Sequence, residues 1–228
     1  MAAAASALTL ALHSCNSSKS SQTSKPRAAK TSLRGFTTEE FYRFSATWKN
    51  FNKRFEKEEK DAKSASCMTE FMAPLQSYRD SSFESRTRAV DKYVNHFLTY
   101  AEDSAIYKKA EYWATPAEVI QKTKADCEDY ANLKKVMLER LGVPDSLLHI
   151  AVVTDYKQWP DRALHATLFV GSNPRNILVA DDYPDRDSST VRPFTATNYT
   201  VFAVTEGSKL YTPRKIGMTY SYKKGLSW

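Results

Sequence analysis

One cysteine lies among three carboxylates in the stretch 124–131, which reads Lys-Ala-Asp-Cys-Glu-Asp-Tyr-Ala. Apolar residues follow at helical spacing and end at a glycine (Leu133, Val136, Met137, Leu141, Gly142). The pattern predicts a helix with Asp126 as its N-cap and Cys127 in its first turn. At that position the free backbone N–H groups and the helix dipole stabilise a thiolate. The alternative is a structural cysteine beside ordinary helix-end carboxylates.

A thiol nucleophile needs a histidine, and usually a carboxylate that orients the histidine. His165 lies in the predicted strand 163–170, and Asp181 ends the predicted strand 176–181. Each of the two is weak evidence when taken alone. A cysteine at a helix start, followed by a histidine and an aspartate on neighbouring antiparallel strands, is the order found in papain-like and transglutaminase-like thiol enzymes. We therefore predict a catalytic triad of Cys127, His165 and Asp181.

Helical patterns come first along the chain, and extended patterns come later. A capping box predicts a helix from Thr37 to about Ala62, and a stripe of aromatic residues on it predicts packing on the core (Phe41, Phe44, Trp48, Phe51, Phe55). Residues 83–101 also favour a helix, and Thr115-Pro116 begins another. Strands are expected at 149–155, 163–170, 176–181 and 199–204. This order indicates an α+β domain with an antiparallel sheet.

Composition divides the chain into three parts. Residues 1–15 are typical of a signal peptide, and the cysteine at their end, Cys15, is a candidate for lipidation. Residues 16–35 favour a flexible basic linker. We expect residues 36–228 to form the domain together with its N-terminal helical extension. The signal-like segment leads to an expectation of export.

The basic character of the chain belongs mainly to its N-terminal tail. Five cations and no acidic residue precede Glu39 (Lys19, Lys25, Arg27, Lys30, Arg34). Removing these five from the formal net charge of +7 leaves +2 for the rest of the chain. No nucleic-acid-binding motif is visible in the sequence, so we do not expect nucleic acid as a partner.

The sequence resembles the bacterial transglutaminase-like cysteine proteinases of the LapG type over roughly residues 88–205. The resemblance rests on residues 112–118, on Asp126-Cys127-Glu128-Asp129-Tyr130-Ala131, on Leu141-Gly142-Val143-Pro144, and on the strands of His165 and Asp181. Three positions depart from the family pattern. Ala125 stands where glycine is usual, the histidine strand reads Leu-His-Ala, and Ala180-Asp181-Asp182 replaces Leu-Asp-Asn. The last departure leaves Asp182 as a second candidate for the third triad member.

The resemblance implies an α+β fold with a papain/transglutaminase-like core. It also implies a calcium-dependent periplasmic endopeptidase that cleaves large cell-surface adhesins and so controls attachment in biofilms. An inner-membrane receptor that senses cyclic-di-GMP is the regulator implied by the family.

Charge also favours a calcium ion near the cysteine. One carboxylate at about 6 Å opposes a thiolate by about 3 kcal/mol, roughly two pKa units. Three carboxylates would outweigh the helix dipole, and Ca²⁺ would cancel this repulsion because it prefers hard oxygen ligands. We therefore predict that Asp126, Glu128 and Asp129 bind calcium. The alternative is that these carboxylates face solvent.

Two other functions remain open at this point. The same core supports transglutamination or deamidation, which also pass through a thioester. A binding module that has lost catalysis is the third hypothesis, although the complete set of Cys127, His165 and Asp181 argues against it.

Overall fold

The computed structural model describes residues 38–155, 164–172, 176–182 and 190–211. Its helices are α1 (Thr38–Glu59), α2 (Ala62–Met72), α3 (Phe83–Phe97), α4 (Asp103–Ile106), α5 (Pro116–Lys122) and α6 (Cys127–Arg140). Its strands are β1 (Thr99–Tyr100), β2 (Lys124–Ala125), β3 (Leu148–Asp155), β4 (His165–Val170), β5 (Leu178–Ala180), β6 (Arg192–Pro193), β7 (Tyr199–Glu206) and β8 (Lys209–Tyr211). Short 3₁₀ helices occupy Ala73–Tyr78, Asp145–Leu147 and Phe194–Ala196.

Six of the strands form one antiparallel sheet in the order β6-β5-β4-β3-β7-β8. Side chains alternate across its central strand, as the pleat requires. Ile150 and Val152 belong to the core on the helical side of the sheet. Ala151 and Val153 belong to a smaller core on the opposite face. The α+β class predicted from the order of helical and extended patterns is confirmed.

Helix α6 lies between the sheet and the other helices, in contact with β3, β4, α3 and α5. Its apolar residues Leu133 and Met137 are completely buried. Gly142 ends the helix with a positive φ of 85°, a conformation that glycine adopts without steric cost. The N–H of Gly142 donates to the carbonyl of Glu139 at 2.9 Å, and that of Val143 to Leu138 at 3.0 Å, which satisfies the last helical carbonyls.

The aromatic stripe of α1 packs on the core, as predicted. Trp48 stacks on Phe51 with ring centroids 5.1 Å apart, and its edge meets Trp113 at 5.5 Å. The indole N–H of Trp48 donates to the carbonyl of Gly207 at 3.1 Å, which connects α1 to the turn between β7 and β8. The N-terminal helix is therefore part of the domain core.

Several boundaries differ from the sequence predictions. Helix α1 ends at Glu59 rather than near residue 62, because Asp61 caps a new helix by accepting the N–H of Ser64 at 2.8 Å. Helix α3 ends at Phe97 rather than at residue 101, because β1 pairs in parallel with β2. Strands β1, β2, β6 and β8, of two or three residues each, were not predicted, whereas the equally short β5 lies within the predicted strand 176–181.

Some sequence predictions lie outside the described residues: the segments 1–15 and 16–35, Cys15 and the Thr37 cap. Within the described ranges, no helix combines the length and the apolar character needed to cross a membrane.

Replacement of Trp48 by alanine should reduce the free energy of unfolding by about 3–5 kcal/mol, because it removes a buried aromatic ring from the core. Trp48 is 2% exposed, whereas Tyr42 on the same helix is 68% exposed. The matched control Tyr42→Ala should cost less than about 1 kcal/mol. Urea denaturation of both variants checks this, and equal losses would contradict the packing of α1 on the core.

Candidate active site

Cys127 is the first residue of α6, and Asp126 is its N-cap, both as predicted. The backbone N–H of Ala166 donates to Cys127 Sγ at 3.3 Å. The thiol in turn donates to Glu128 Oε2 at 3.2 Å. Because Ala166 follows His165 in β4, this contact places the sulfur beside the strand that carries the histidine.

The sheet brings His165 and Asp181 to the same end. His165 is the first residue of β4, Asp181 directly follows β5, and the two strands are antiparallel with Leu168 opposite Ala180. His165 Nε2 lies 2.6 Å from Asp181 Oδ1. This contact leaves Nδ1 as the ring nitrogen for exchange with a thiol. No hydrogen bond joins the Cys127 and His165 side chains directly; the thiol is held by the neighbouring Ala166.

The geometry favours Asp181 over Asp182 as the residue that orients His165. Asp182 Oδ1 lies 3.6 Å from His165 Nε2, beyond hydrogen-bond distance. The second oxygen of Asp181 accepts hydrogen bonds from the Tyr199 hydroxyl and from the Arg192 guanidinium, the latter at 3.1 Å. Tyr199 and Arg192 lie far along the chain in short or late strands, and no sequence motif pointed to them.

These contacts shift the pKa values of His165 and Asp181 in opposite directions. Burial alone would lower the pKa of His165, but the Asp181 carboxylate and its hydrogen bond raise it above its usual value. Burial alone would raise the pKa of Asp181, but His165, Tyr199 and Arg192 hold it well below its usual range. The pair therefore favours an imidazolium beside a carboxylate, the charge state that stabilises a neighbouring thiolate.

The surroundings of the Cys127 thiol, in contrast, disfavour the thiolate. Burial raises the pKa of Cys127 well above its usual value, and the carboxylates of Glu128, Asp126 and Asp182 raise it further. The charge argument made from the sequence named Asp126, Glu128 and Asp129; Asp126 and Glu128 act as expected, and Asp182 acts with them. In the protein by itself, the three carboxylates oppose formation of the thiolate.

A buried carboxylate cluster adjoins Cys127. Oxygens of Asp103, Asp126 and Glu128 lie within 4.8 Å of one another, and all three residues are buried. Burial raises the pKa of Asp103 to about 7 and that of Asp126 to about 8, and neighbouring carboxylates add to both shifts. One oxygen each of Asp103 and Asp126 is buried without a hydrogen-bond partner. Such orphaned oxygens fit a bound cation.

The cluster differs from the set predicted from the sequence. Asp126 and Glu128 belong to it, and Asp129 lies outside it. Asp129 Oδ1 accepts the N–H of Ala114 at 2.6 Å, but Asp129 Oδ2 is buried without a hydrogen-bond partner, so Asp129 stays a predicted ligand. Asp103 was missed because it lies far upstream in the short helix α4. Strands β1 and β2 are parallel, so the residues that follow them, Asp103 and Asp126, meet at one end of the pair.

The sequence model of the bacterial transglutaminase-like cysteine proteinases matches residues 44–211. The chain belongs to this family. The predicted family is thereby confirmed, and with it the general class of a transglutaminase-like cysteine peptidase.

The chain shares its fold with solved structures of LapG from Legionella pneumophila. Calcium-bound LapG is 18% identical, with a TM-score of 0.53 over 74% of this chain and 88% of LapG. EGTA-treated LapG is 17% identical, with a TM-score of 0.54 over 80% of this chain and 88% of LapG. No curated protein sequence matches the chain. At this level of identity the likeness to LapG concerns the fold alone.

The charge coupling between His165 and Asp181 can be tested without any substrate. The His165 ring should titrate above about 6.5, the ordinary histidine pKa. Asp181→Asn should lower the pKa of His165 below that value, because burial remains while the carboxylate is lost. Asp182→Asn, the matched control, should lower it less. NMR of the imidazole carbons measures both shifts, with His165→Gln used to assign the signal.

If Asp182→Asn lowered the His165 pKa more than Asp181→Asn does, Asp182 would be the residue that orients the ring.

Proposed function

We propose that this protein is an exported, calcium-dependent cysteine endopeptidase with Cys127, His165 and Asp181 as its catalytic residues. The observation that carries the proposal is the placement of the Cys127 thiol, at the start of a buried helix, against the strand of His165. The His165 ring is itself bonded to Asp181 at 2.6 Å. Membership of a cysteine proteinase family supports the same conclusion.

The proposed reaction is acyl transfer to the thiol. Cys127 Sγ attacks the carbonyl carbon of the scissile peptide bond, and His165 receives the thiol proton. His165 then donates that proton to the leaving amine, and a thioester remains on Cys127. The backbone N–H of Cys127 lies at the start of α6, where it can stabilise the oxyanion. Water then attacks the thioester carbonyl while His165 accepts its proton, the C–S bond breaks, and His165 returns the proton to the Cys127 sulfur as the acid product leaves.

We propose that Asp103, Asp126 and Glu128 bind the calcium ion, with backbone carbonyls or water as further ligands. The orphaned buried oxygens of Asp103 and Asp126, together with the burial of all three residues, support this assignment. When bound, calcium supplies positive charge that compensates the carboxylates beside Cys127. Calcium-bound and EGTA-treated forms of LapG exist, which supports calcium as the cation to test first.

We further propose a periplasmic location, a large surface adhesin as substrate, and regulation by an inner-membrane receptor for cyclic-di-GMP. The signal-like segment 1–15 and the family resemblance support these proposals. Lipidation of Cys15 remains part of the same proposal.

Cys127→Ala should abolish peptide cleavage, by more than about 1000-fold, and leave the fold intact, since alanine is well tolerated in the first turn of a helix. Cleavage of unfolded adhesin segments, followed by mass spectrometry of the products, measures the activity. A labelled primary amine is included in the reaction. Release of peptide without incorporation of the amine supports an endopeptidase, whereas incorporation would support transglutamination.

Retained cleavage by the Cys127→Ala protein would rule out the mechanism. A wild-type thiol that fails to react with iodoacetamide in calcium would favour the inactive binding module.

Removal of calcium by EGTA should abolish cleavage and lower the melting temperature, and calcium should restore both better than magnesium. Binding at about 100 times the Kd adds about 2.7 kcal/mol of stability. Asp103→Asn should remove the calcium-dependent rise in melting temperature, whereas Asp80→Asn, an exposed control, should retain it. Full activity in EGTA, or equal rescue by magnesium, would exclude a calcium requirement.

The stabilisation by calcium should also depend on pH. The folded-state pKa of Asp126, about 8, lies above its unfolded value, so the calcium-free fold binds the proton more tightly than the unfolded chain does. Calcium-free stability therefore falls as pH rises from the unfolded pKa of about 4 through the folded pKa. The rise in melting temperature on adding calcium should be larger at about pH 9 than at about pH 6. Thermal denaturation at the two pH values measures it, and an equal rise at both would contradict the assignment of these buried carboxylates.

A further inference from the structure

A lysine is buried behind the triad carboxylate. Lys134 lies about two turns after Cys127 on α6 and is 1% exposed. Its ammonium group donates to Asp91 Oδ1 at 2.8 Å and to the backbone carbonyl of Asp181 at 2.6 Å. Lysine is almost never fully buried unless it is paired, and this lysine contacts the main chain of a proposed catalytic residue.

The partner of this lysine also connects to Asp181. Asp91 on α3 is completely buried and accepts the backbone N–H of Thr190 at 2.6 Å. The Thr190 hydroxyl accepts the N–H of Asp181 at 3.1 Å, and Asn95 Nδ2 donates to the Asp181 carbonyl at 3.0 Å. Both polar groups of the Asp181 main chain are therefore held by side chains, where β5 has already ended at Ala180.

Stability alone is a weak reason for this arrangement. A buried ion pair seldom stabilises a fold more than well-packed apolar residues of the same size would, because desolvation costs several kcal/mol per ion. The pair of Lys134 and Asp91 must instead be explained by what it contacts. Its contacts converge on the residue that orients His165.

We propose that Lys134 is a positioning residue, which together with Asp91 fixes the main chain of Asp181 so that its carboxylate meets His165. The inference rests on the proposed function, since it concerns the same triad. A carboxylate displaced by about 1 Å can cost about 100-fold in rate.

The charged groups around His165 make the proposal testable by pH titration. Asp181 and Asp182 face the ring from the end of β5, and Lys134 acts on it from α6. Arg192 and Tyr199 act through the second oxygen of Asp181. The Asp181 carboxylate raises the His165 pKa, whereas the Lys134 cation lowers it. Loss of positioning and loss of the Lys134 cation therefore shift the pKa of His165 in opposite directions.

The decisive variant is Lys134→Met combined with Asp91→Asn, which removes both buried charges and keeps an acceptor for Thr190. Its matched control is Lys135→Met. Lys135 is the neighbouring residue on α6 and is also buried, but its ammonium group bonds to Glu139 and Asp145, away from the triad. The calcium-loaded protein is used throughout.

We expect the double variant to keep its melting temperature within a few degrees and to lose about 10–100-fold in kcat with KM little changed. NMR should show that the His165 pKa falls, because the displaced Asp181 no longer supports the imidazolium. Lys135→Met should keep the wild-type kcat and the wild-type pKa of His165.

An unchanged or raised His165 pKa in the folded double variant would overturn the proposal, whatever the change in kcat. Unfolding of the double variant would also overturn it, because the pair would then hold the domain together rather than position Asp181. The NMR titration needs no protease activity, so a wild type that cleaves nothing would contradict the proposed function alone.

Discussion

Negative charge buried beside a thiol is the constraint on which this site depends. Cys127 must lose a proton to act as a nucleophile, yet burial and the carboxylates of Glu128 and Asp126 raise its pKa well above the usual value. The dipole of α6 contributes only about half a positive charge at its N-terminus. A helix start is therefore insufficient by itself, and the rest of the site must supply positive charge from two sides.

The strand pairings determine which charged residues lie near the thiol. The parallel pairing of β1 and β2 places Asp103 next to Asp126, so residues from distant parts of the chain converge on one side of the thiol. The antiparallel pairing of β4 and β5 places His165 next to Asp181 on the other side. Helix α6 joins the two clusters, because its N-terminus carries Cys127 and its second turn reaches Lys134.

The sequence predicted the parts of the site that depend on local patterns. The helix at Cys127, the strands of His165 and Asp181, and the aromatic face of α1 follow from capping residues and hydrophobic periodicity. Asp103, Tyr199 and Arg192 could not be found in this way, because their roles arise from pairings between short strands that leave no periodic signal. Sequence adjacency assigned Asp129 to the metal site, and the structure places it beside the cluster, with Oδ1 bonded to the N–H of Ala114 and Oδ2 buried without a hydrogen-bond partner.

The buried carboxylates on the two sides of Cys127 are balanced by different kinds of positive charge. On the histidine side, the carboxylates are paired with side chains of the chain itself, Asp181 with His165 and Arg192, and Asp91 with the buried Lys134. On the other side, the proposed compensating charge is an ion that exchanges with solvent. On the proposed function, the orientation of His165 by Asp181 is a permanent property of the fold, whereas thiolate formation at Cys127 would depend on the calcium concentration. Calcium should therefore control the nucleophile without disturbing the geometry of its base.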